Sequence, residues 1–356
     1  MALIQLLLFI AGGVLAAFLF QIHDLQSAGW YSIVIATLLA IGLYASTYGI
    51  DLKEARKHIK IILSAVTIGV VVKSTITGIT LALLFHDPFF LVLGIAVAQI
   101  DPLSVAGLLR GKRMSKKAKT ILASWASFDD PVTVILSLYV PLLIVQFTGM
   151  DLGNIAGASS SGESFVAYIR ELGLNLGLAA QAFCLYTVIR FYAKKIKAWI
   201  AAGVSLASYV LLAITFSVSI VYFMMLGIAL IGLFLRPPKV DKFIDTTIKG
   251  ALWAATLLLG LLLVDGIDLW RGIALGMMAY IAQIIVGFIL TYKLGKRDRW
   301  HIAFAQQNGI TAIILALLFE PVHPGTVAVV APAIITINTL HWLCNILIDK
   351  TILKHK

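Results

Sequence analysis

The stretch AQIDPLSVAGLLRGKRMSKKAKTILASWASFDDPVT, residues 98–133, carries two Asp-Pro pairs inside apolar runs that are joined by a strongly basic loop. Proline has no N–H, and its ring crowds the carbonyl four residues earlier. Pro102 therefore strips the Ala98 carbonyl of its helical partner, and Pro131 does the same to Ser127. The pattern predicts a broken backbone at both places. In an apolar segment, loose carbonyls are tolerated only inside protein or beside a water-filled cavity. Asp129 stands directly before Asp130, and Ser127, Asp130 and Ser137 share one helical face by their spacing. Carboxylate, hydroxyl and carbonyl oxygens together are ligands for small monovalent cations.

The rest of the chain says where this chemistry sits. Of 356 residues, 60% are hydrophobic and 13% charged, roughly half the charged share of a soluble domain. A water-soluble enzyme is excluded. A bilayer core needs about 20 helical residues per crossing. Cutting at charge runs and Pro/Gly clusters predicts twelve spans: 2–22, 28–50, 61–85, 89–109, 121–147, 172–191, 198–216, 220–235, 251–264, 268–292, 301–319 and 326–348. The boundary between the seventh and eighth falls at Ser217–Ser219, and the ninth is expected to begin before Ala251. The first run lacks a basic leader and a small-residue cleavage site, so it reads as a span and not a cleaved signal.

The net charge is +11, and 25 of the 28 lysines and arginines lie in or beside the segments after spans two, four, six, eight and ten or in the C-terminus. Lys73, Arg170 and Arg271 are the exceptions, with Arg170 expected in the loop after span five. Such alternation follows the positive-inside rule. It predicts a cell-membrane protein with both termini cytoplasmic, and it reads the positive charge as topology, not as a nucleic-acid surface. Cys184 and Cys344 lie in apolar runs and predict neither a disulfide framework nor a zinc site. Residues 148–164, with their Gly/Ser run, read as a linker between two halves. No separate soluble domain and no fused nucleotide-sensing domain is expected.

Four ionisable residues fall deep inside spans: Lys73, Asp101, Asp129 and Asp130. Such residues are costly in a bilayer and are functional candidates by default. At about 1.5 Å of rise per residue, the three carboxylates lie about 12–13.5 Å deep and Lys73 about 18 Å, a difference that a lysine stem bridges. Three acids against one base leave buried negative charge, which fits an ion pathway better than a structural kink.

A second polar interruption lies in HIAFAQQNGITAIILALLF, residues 301–319, where Gln306, Gln307, Asn308 and Gly309 predict a helix break. Gln283 and Asn338, the latter near Pro332, add amides at similar depth. The two groups occupy corresponding places, in spans three to five and ten to twelve, and spans three and ten run in opposite directions. That is the pattern of inverted repeats whose broken helices meet near the midplane.

Residues 94–139, GIAVAQIDPLSVAGLLRGKRMSKKAKTILASWASFDDPVTVILSLY, resemble the core of the monovalent cation:proton antiporters, the Na+/H+ exchanger superfamily. The shared pattern is an acid-Pro, a short basic loop, and a span with Asn-Asp or Asp-Asp. The resemblance implies an all-α polytopic fold of about twelve transmembrane helices, with two crossed discontinuous helices. It implies a core bundle at approximately 61–147 and 268–348, and a scaffold bundle at approximately 1–50 and 172–264 that carries a homodimer interface. Asp130 would be the principal cation and proton carrier. Asp129 would be a second acid at the cation or a charge-tuning neighbour, with Ser127 beside them. Asp101 would compensate helix-end dipoles, and Gln306–Gly309 would form the second crossed helix.

Departures from the family pattern bear on charge movement. Asp129 replaces the Asn of the electroneutral branch. Uncharged Gln283 stands where the electrogenic branch carries Lys or Arg, and Trp125 stands where many relatives have an acid. Lys73 would supply the missing positive charge. The implied activity is electrogenic exchange of a monovalent cation, Na+ first with Li+ and K+ as the other candidates, for protons by alternating access. The cation is cargo, and no cofactor is expected. The competing readings are Na+-coupled symport of an organic anion, and a membrane sensor or ion-conducting subunit.

Overall fold

In a computed structural model the described residues are 3–148, except 23, 51, 103–104, 106–107, 110 and 112–113, and then 164–193 and 201–352. They form helices joined by short turns, with no strand among them. α1 (Leu3–Phe20) and α2 (Tyr31–Tyr48) come first, followed by a short helix, Leu52–Lys57. α3 (Ile59–Phe85) contains a π turn at Ala65–Gly69, just before Lys73. α4 (Phe90–Val97) stops early, and helix resumes at Pro102. Then come α5 (Lys116–Thr148), α6 (Ser164–Ala193), α7 (Ala201–Val221), α8 (Met225–Gly232), α9 (Asp241–Leu262) and α10 (Leu269–Leu290). The last are the short α11 (Lys296–Ala303) and α12 (Ile310–Phe319), and the long α13 (Thr326–Ile352).

Eight of the described helices, α1, α2, α3, α5, α6, α9, α10 and α13, are long and apolar enough to cross a bilayer. The protein is an all-helical, multi-pass membrane protein. Its outer faces are apolar too: on α1, Leu8 is 65% exposed and Phe18 is 73% exposed. In a bilayer such faces meet lipid. With no hydrophobic drive between helices there, close packing of small residues holds them together. Gly78 of α3 and Gly94 of α4 show this: a Cβ on Gly94 would lie 2.7 Å from the Gly78 nitrogen.

Three expectations from the sequence need correction. α5 runs unbroken through Pro131 and Pro141, so the Asp-Asp-Pro site is not a helix break. Proline removes one hydrogen bond, and long apolar flanks keep the turns on either side. α7 continues past Ser217–Ser219 to Val221; the turn comes at Tyr222–Met224, where Phe223 takes a φ of 53° and the Met224 N–H bonds the Ser219 carbonyl. Uncharged serines interrupt a membrane helix weakly, because their hydroxyls can bond within it. Arg170 is helical, since α6 begins at Ser164. As expected, the ninth predicted span begins before Ala251, at Asp241. Residues 149–163, nearly all of the expected linker, lie outside the described residues.

Candidate functional site: two interrupted helices and a buried acid cluster

α4 ends at Val97, and its non-helical continuation, 98–101, meets the gap between α11 and α12 at 304–309. The two breaks satisfy each other. The Gln306 amide nitrogen donates to the Val97 and Gln99 carbonyls, each at 2.9 Å, and Asn308 donates to Val97 at 3.1 Å. The Asp101 N–H donates to the Gln307 carbonyl at 2.9 Å. Asn338 of α13 clamps Asn308 from behind: its amide accepts from the Asn308 N–H at 3.1 Å and donates to the Asn308 carbonyl at 3.0 Å. Buried backbone groups must find such partners, so each break is stable because the other exists.

Gly309 makes the approach sterically workable. A Cβ there would fall on the Asp101 carboxylate. The free carbonyls at the end of α11 are covered by side chains from α10 and α13. Gln283 reaches the Ile302 carbonyl at 3.4 Å, and Tyr280 donates to Phe304 at 3.3 Å. His341 places Nδ1 3.0 Å from the same Phe304 carbonyl, a hydrogen bond when that nitrogen carries the proton. By this contact Gln283 helps to cap the end of α11.

The acids lie against this crossing. Asp129 and Asp130 are wholly buried on α5, and Asp101 is 2% exposed. One oxygen of Asp129, Oδ2, accepts both from the Lys73 ammonium at 3.0 Å and from the Ile100 N–H at 2.7 Å. Lys73 is fully buried and lies over the Trp125 ring, 5.3 Å from its centroid, so the tryptophan face adds a cation–π contact to the ion pair. Asp129 thereby ties α5 to α3 and to the first break.

Asp130 has a different environment. The Ser46 hydroxyl of α2 donates to its Oδ2 at 2.7 Å. The two other carboxylates of the cluster, Asp101 and Asp129, both act electrostatically on it. Thr311, in the first turn of α12, is close enough to act on Asp130 without a well-aligned hydrogen bond. Oδ1 of Asp130, Oδ1 of Asp129 and the hydroxyls of Thr311, Thr133 and Ser137 have no hydrogen-bond partner among the described residues. These unpartnered buried oxygens gather beside the Asp130 carboxylate.

The predicted residues thus converge, with one exception. Asp101, Asp129, Asp130, Lys73, Gln306, Gln307, Asn308 and Gly309 meet at the crossing. Ser127 is buried at 7% exposure, but among the described residues its side chain makes no hydrogen bond and does not reach Asp130 in this way. The hydroxyl on Asp130 is that of Ser46. Sequence reasoning missed Ser46 because nothing in an Ala-Ser-Thr run marks one hydroxyl from its neighbours. Thr311 could have been found, since it opens the helix directly after the Gln-Gln-Asn-Gly break.

The chain matches known proteins along most of its length. The family model described as "Sodium/hydrogen exchanger, transmembrane" matches residues 4–345. The chain is 29% identical over 272 residues to the K(+)/H(+) antiporter NhaP2 of Shewanella oneidensis, a match covering 72% of this chain and 45% of that protein. The same-named protein of Shewanella baltica is 28% identical over 280 residues, with the same coverage. The chain therefore spans about half the length of the curated relatives it matches. The structure of the sodium proton antiporter MjNhaP1 from Methanocaldococcus jannaschii at pH 8 superposes with a TM-score of 0.68, at 15% identity, over 97% of this chain and 90% of that one. That likeness shows the fold. With the family model covering nearly the whole chain, this protein belongs to the sodium/hydrogen exchanger family of transmembrane proteins.

Proposed function

We propose that the protein exchanges a monovalent cation for protons across the cell membrane, with Asp130 as the shared carrier. The observation that supports this most is the setting of Asp130: fully buried, held by a hydroxyl and no base, and facing two further carboxylates. An isolated carboxylate in a low-dielectric interior must be neutralised. A proton or a monovalent cation does this equally well but not both at once, and such competition is all that antiport requires. Na+ and K+ are the leading cargoes; that the Shewanella relatives are named K(+)/H(+) antiporters supports considering K+ beside Na+. Organic-anion symport fits less well, because the one buried Lys or Arg among the described residues, Lys73, is already paired with Asp129.

In this reading the cycle runs by alternating access. The core (61–147 and 268–348) carries Asp130 past a scaffold (1–50 and 172–264) that also forms a homodimer. The basic segments and both termini face the cytoplasm. Exchange is electrogenic: a cation drawn to Asp130 and to the unpartnered Oδ1 of Asp129 pulls Asp129 from Lys73, and a buried lysine without a partner gives up its proton. Proteoliposomes holding a pH-sensitive dye test the reading. Addition of Na+, K+ or Li+ to one side should drive saturable proton movement in the opposite direction. Voltage-driven conduction without such coupling contradicts antiport, and so does no response to any of the three cations.

A further inference from the structure

Asp130 belongs to α5, yet the hydroxyl that bonds it comes from α2. The next residue, Thr47, points elsewhere: its hydroxyl donates to the Ala229 carbonyl of α8 at 2.6 Å. Tyr44 donates to the Leu235 carbonyl at 2.8 Å, and Arg236 to the Ile50 carbonyl at 2.9 Å. Gly232 of α8 sits so close to the Tyr44 carbonyl and the Thr47 hydroxyl that a Cβ has no room. One face of α2 is therefore bolted to α8. The opposite neighbourhood is different. Gly42, one turn before Ser46 and on the same helical face, has Ile310 and Thr311 of α12 as its nearest neighbours. The Gly42–Ser46 face thus looks onto the start of α12 and onto Asp130 together.

We propose that Ser46 is a ligand of the transported cation, supplied by the scaffold to the Asp130 carboxylate of the core; this rests on the antiport reading above. A hydroxyl suits every loading state of the site. It donates to a bare carboxylate, it accepts from a protonated one, and it offers a lone pair to a cation held by the carboxylate. Asp130 Oδ1 and the Thr311 hydroxyl, both without hydrogen-bond partners among the described residues, are the oxygens that would join it. Because α2 is fixed to α8, it stays behind when α5 and α12 move. The cation then loses one ligand as the site opens, which assists its release at the end of each stroke. Ser46 acts on the cation only where the two bundles meet, so it sets affinity in the closed arrangement.

The test compares wild type with Ser46→Ala, Ser46→Thr and Ser46→Cys, in exchange assays and by calorimetric titration of the purified proteins with NaCl and KCl. Ser46→Ala should raise the apparent KM for the cation roughly tenfold, the loss expected for one bond to a charged group. Ser46→Thr, which keeps the hydroxyl, should restore affinity. Ser46→Cys keeps the volume but offers a soft sulfur, so it should behave like alanine. An unchanged KM in Ser46→Ala overturns the proposal, as does wild-type affinity in Ser46→Cys. If alanine prevents folding, the Thr and Cys pair decides. A wild-type protein that binds cation without exchanging it overturns antiport and leaves Ser46 to be judged on binding alone. One that neither binds nor exchanges overturns both.

Discussion

One oxygen of Asp129 engages both Lys73 and the Ile100 N–H, whereas Asp130 has a single hydroxyl bond and two like charges for company. Adjacent residues on a helix point about 100° apart, which is enough to give two neighbouring acids separate work. Asp130→Asn should abolish exchange while the protein remains inserted and elutes as a single species; flux assays beside size-exclusion chromatography check this, and normal exchange refutes the carrier role. The Lys73–Asp129 pair has a different signature. Removing one partner of a buried pair costs about 3–5 kcal/mol, because the other is left charged and alone. Lys73→Gln should therefore destabilise the protein by about that much, and Lys73→Gln with Asp129→Asn should recover most of it. Unfolding in detergent measures both. Equal stability of the single and double variants contradicts a structural pair.

At the scale of elements, each interrupted helix is held by its counterpart, through bonds such as Gln306 to Val97 and Asp101 to Gln307. Filling the space between them should therefore disturb both. Gly309→Leu should lower exchange on the order of tenfold or more, as expected when a working group moves by about 1 Å. Asp101→Asn should also impair it. Wild-type rates in both variants rule out a functional crossing. Much of this was legible in residues 98–133 and 301–319, because Asp-Pro and Gln-Gln-Asn-Gly are out of place in apolar segments. The Asp-Asp-Pro motif misled for the same reason. Pro131 deletes one hydrogen bond, as Pro102 does, yet only the chain near Pro102 has a second broken strand of backbone to bond with, and so only there does the helix open. Breaks are decided by tertiary partners, which no local pattern contains. Ser46 was illegible on the same ground: it matters through Asp130, 84 residues away.

At the scale of the whole molecule, the account turns on how much charge crosses per cycle. If the Lys73–Asp129 pair opens when cation binds, a second proton accompanies the one from Asp130 and exchange responds to membrane potential. The reversal potential of cation-driven proton movement in liposomes should then shift with an imposed voltage. In the Lys73→Gln, Asp129→Asn variant, where only Asp130 cycles, that shift should vanish. A voltage-insensitive wild type rules out the electrogenic scheme and leaves one-for-one exchange at Asp130. Beneath both schemes lies the claim that cation and proton compete for one carboxylate. Adding NaCl or KCl to lightly buffered, purified protein and recording pH tests it most directly. The wild type should release protons in a saturable manner, and Asp130→Asn should release none through that site; saturable release from Asp130→Asn at the wild-type level contradicts Asp130 as the shared carrier.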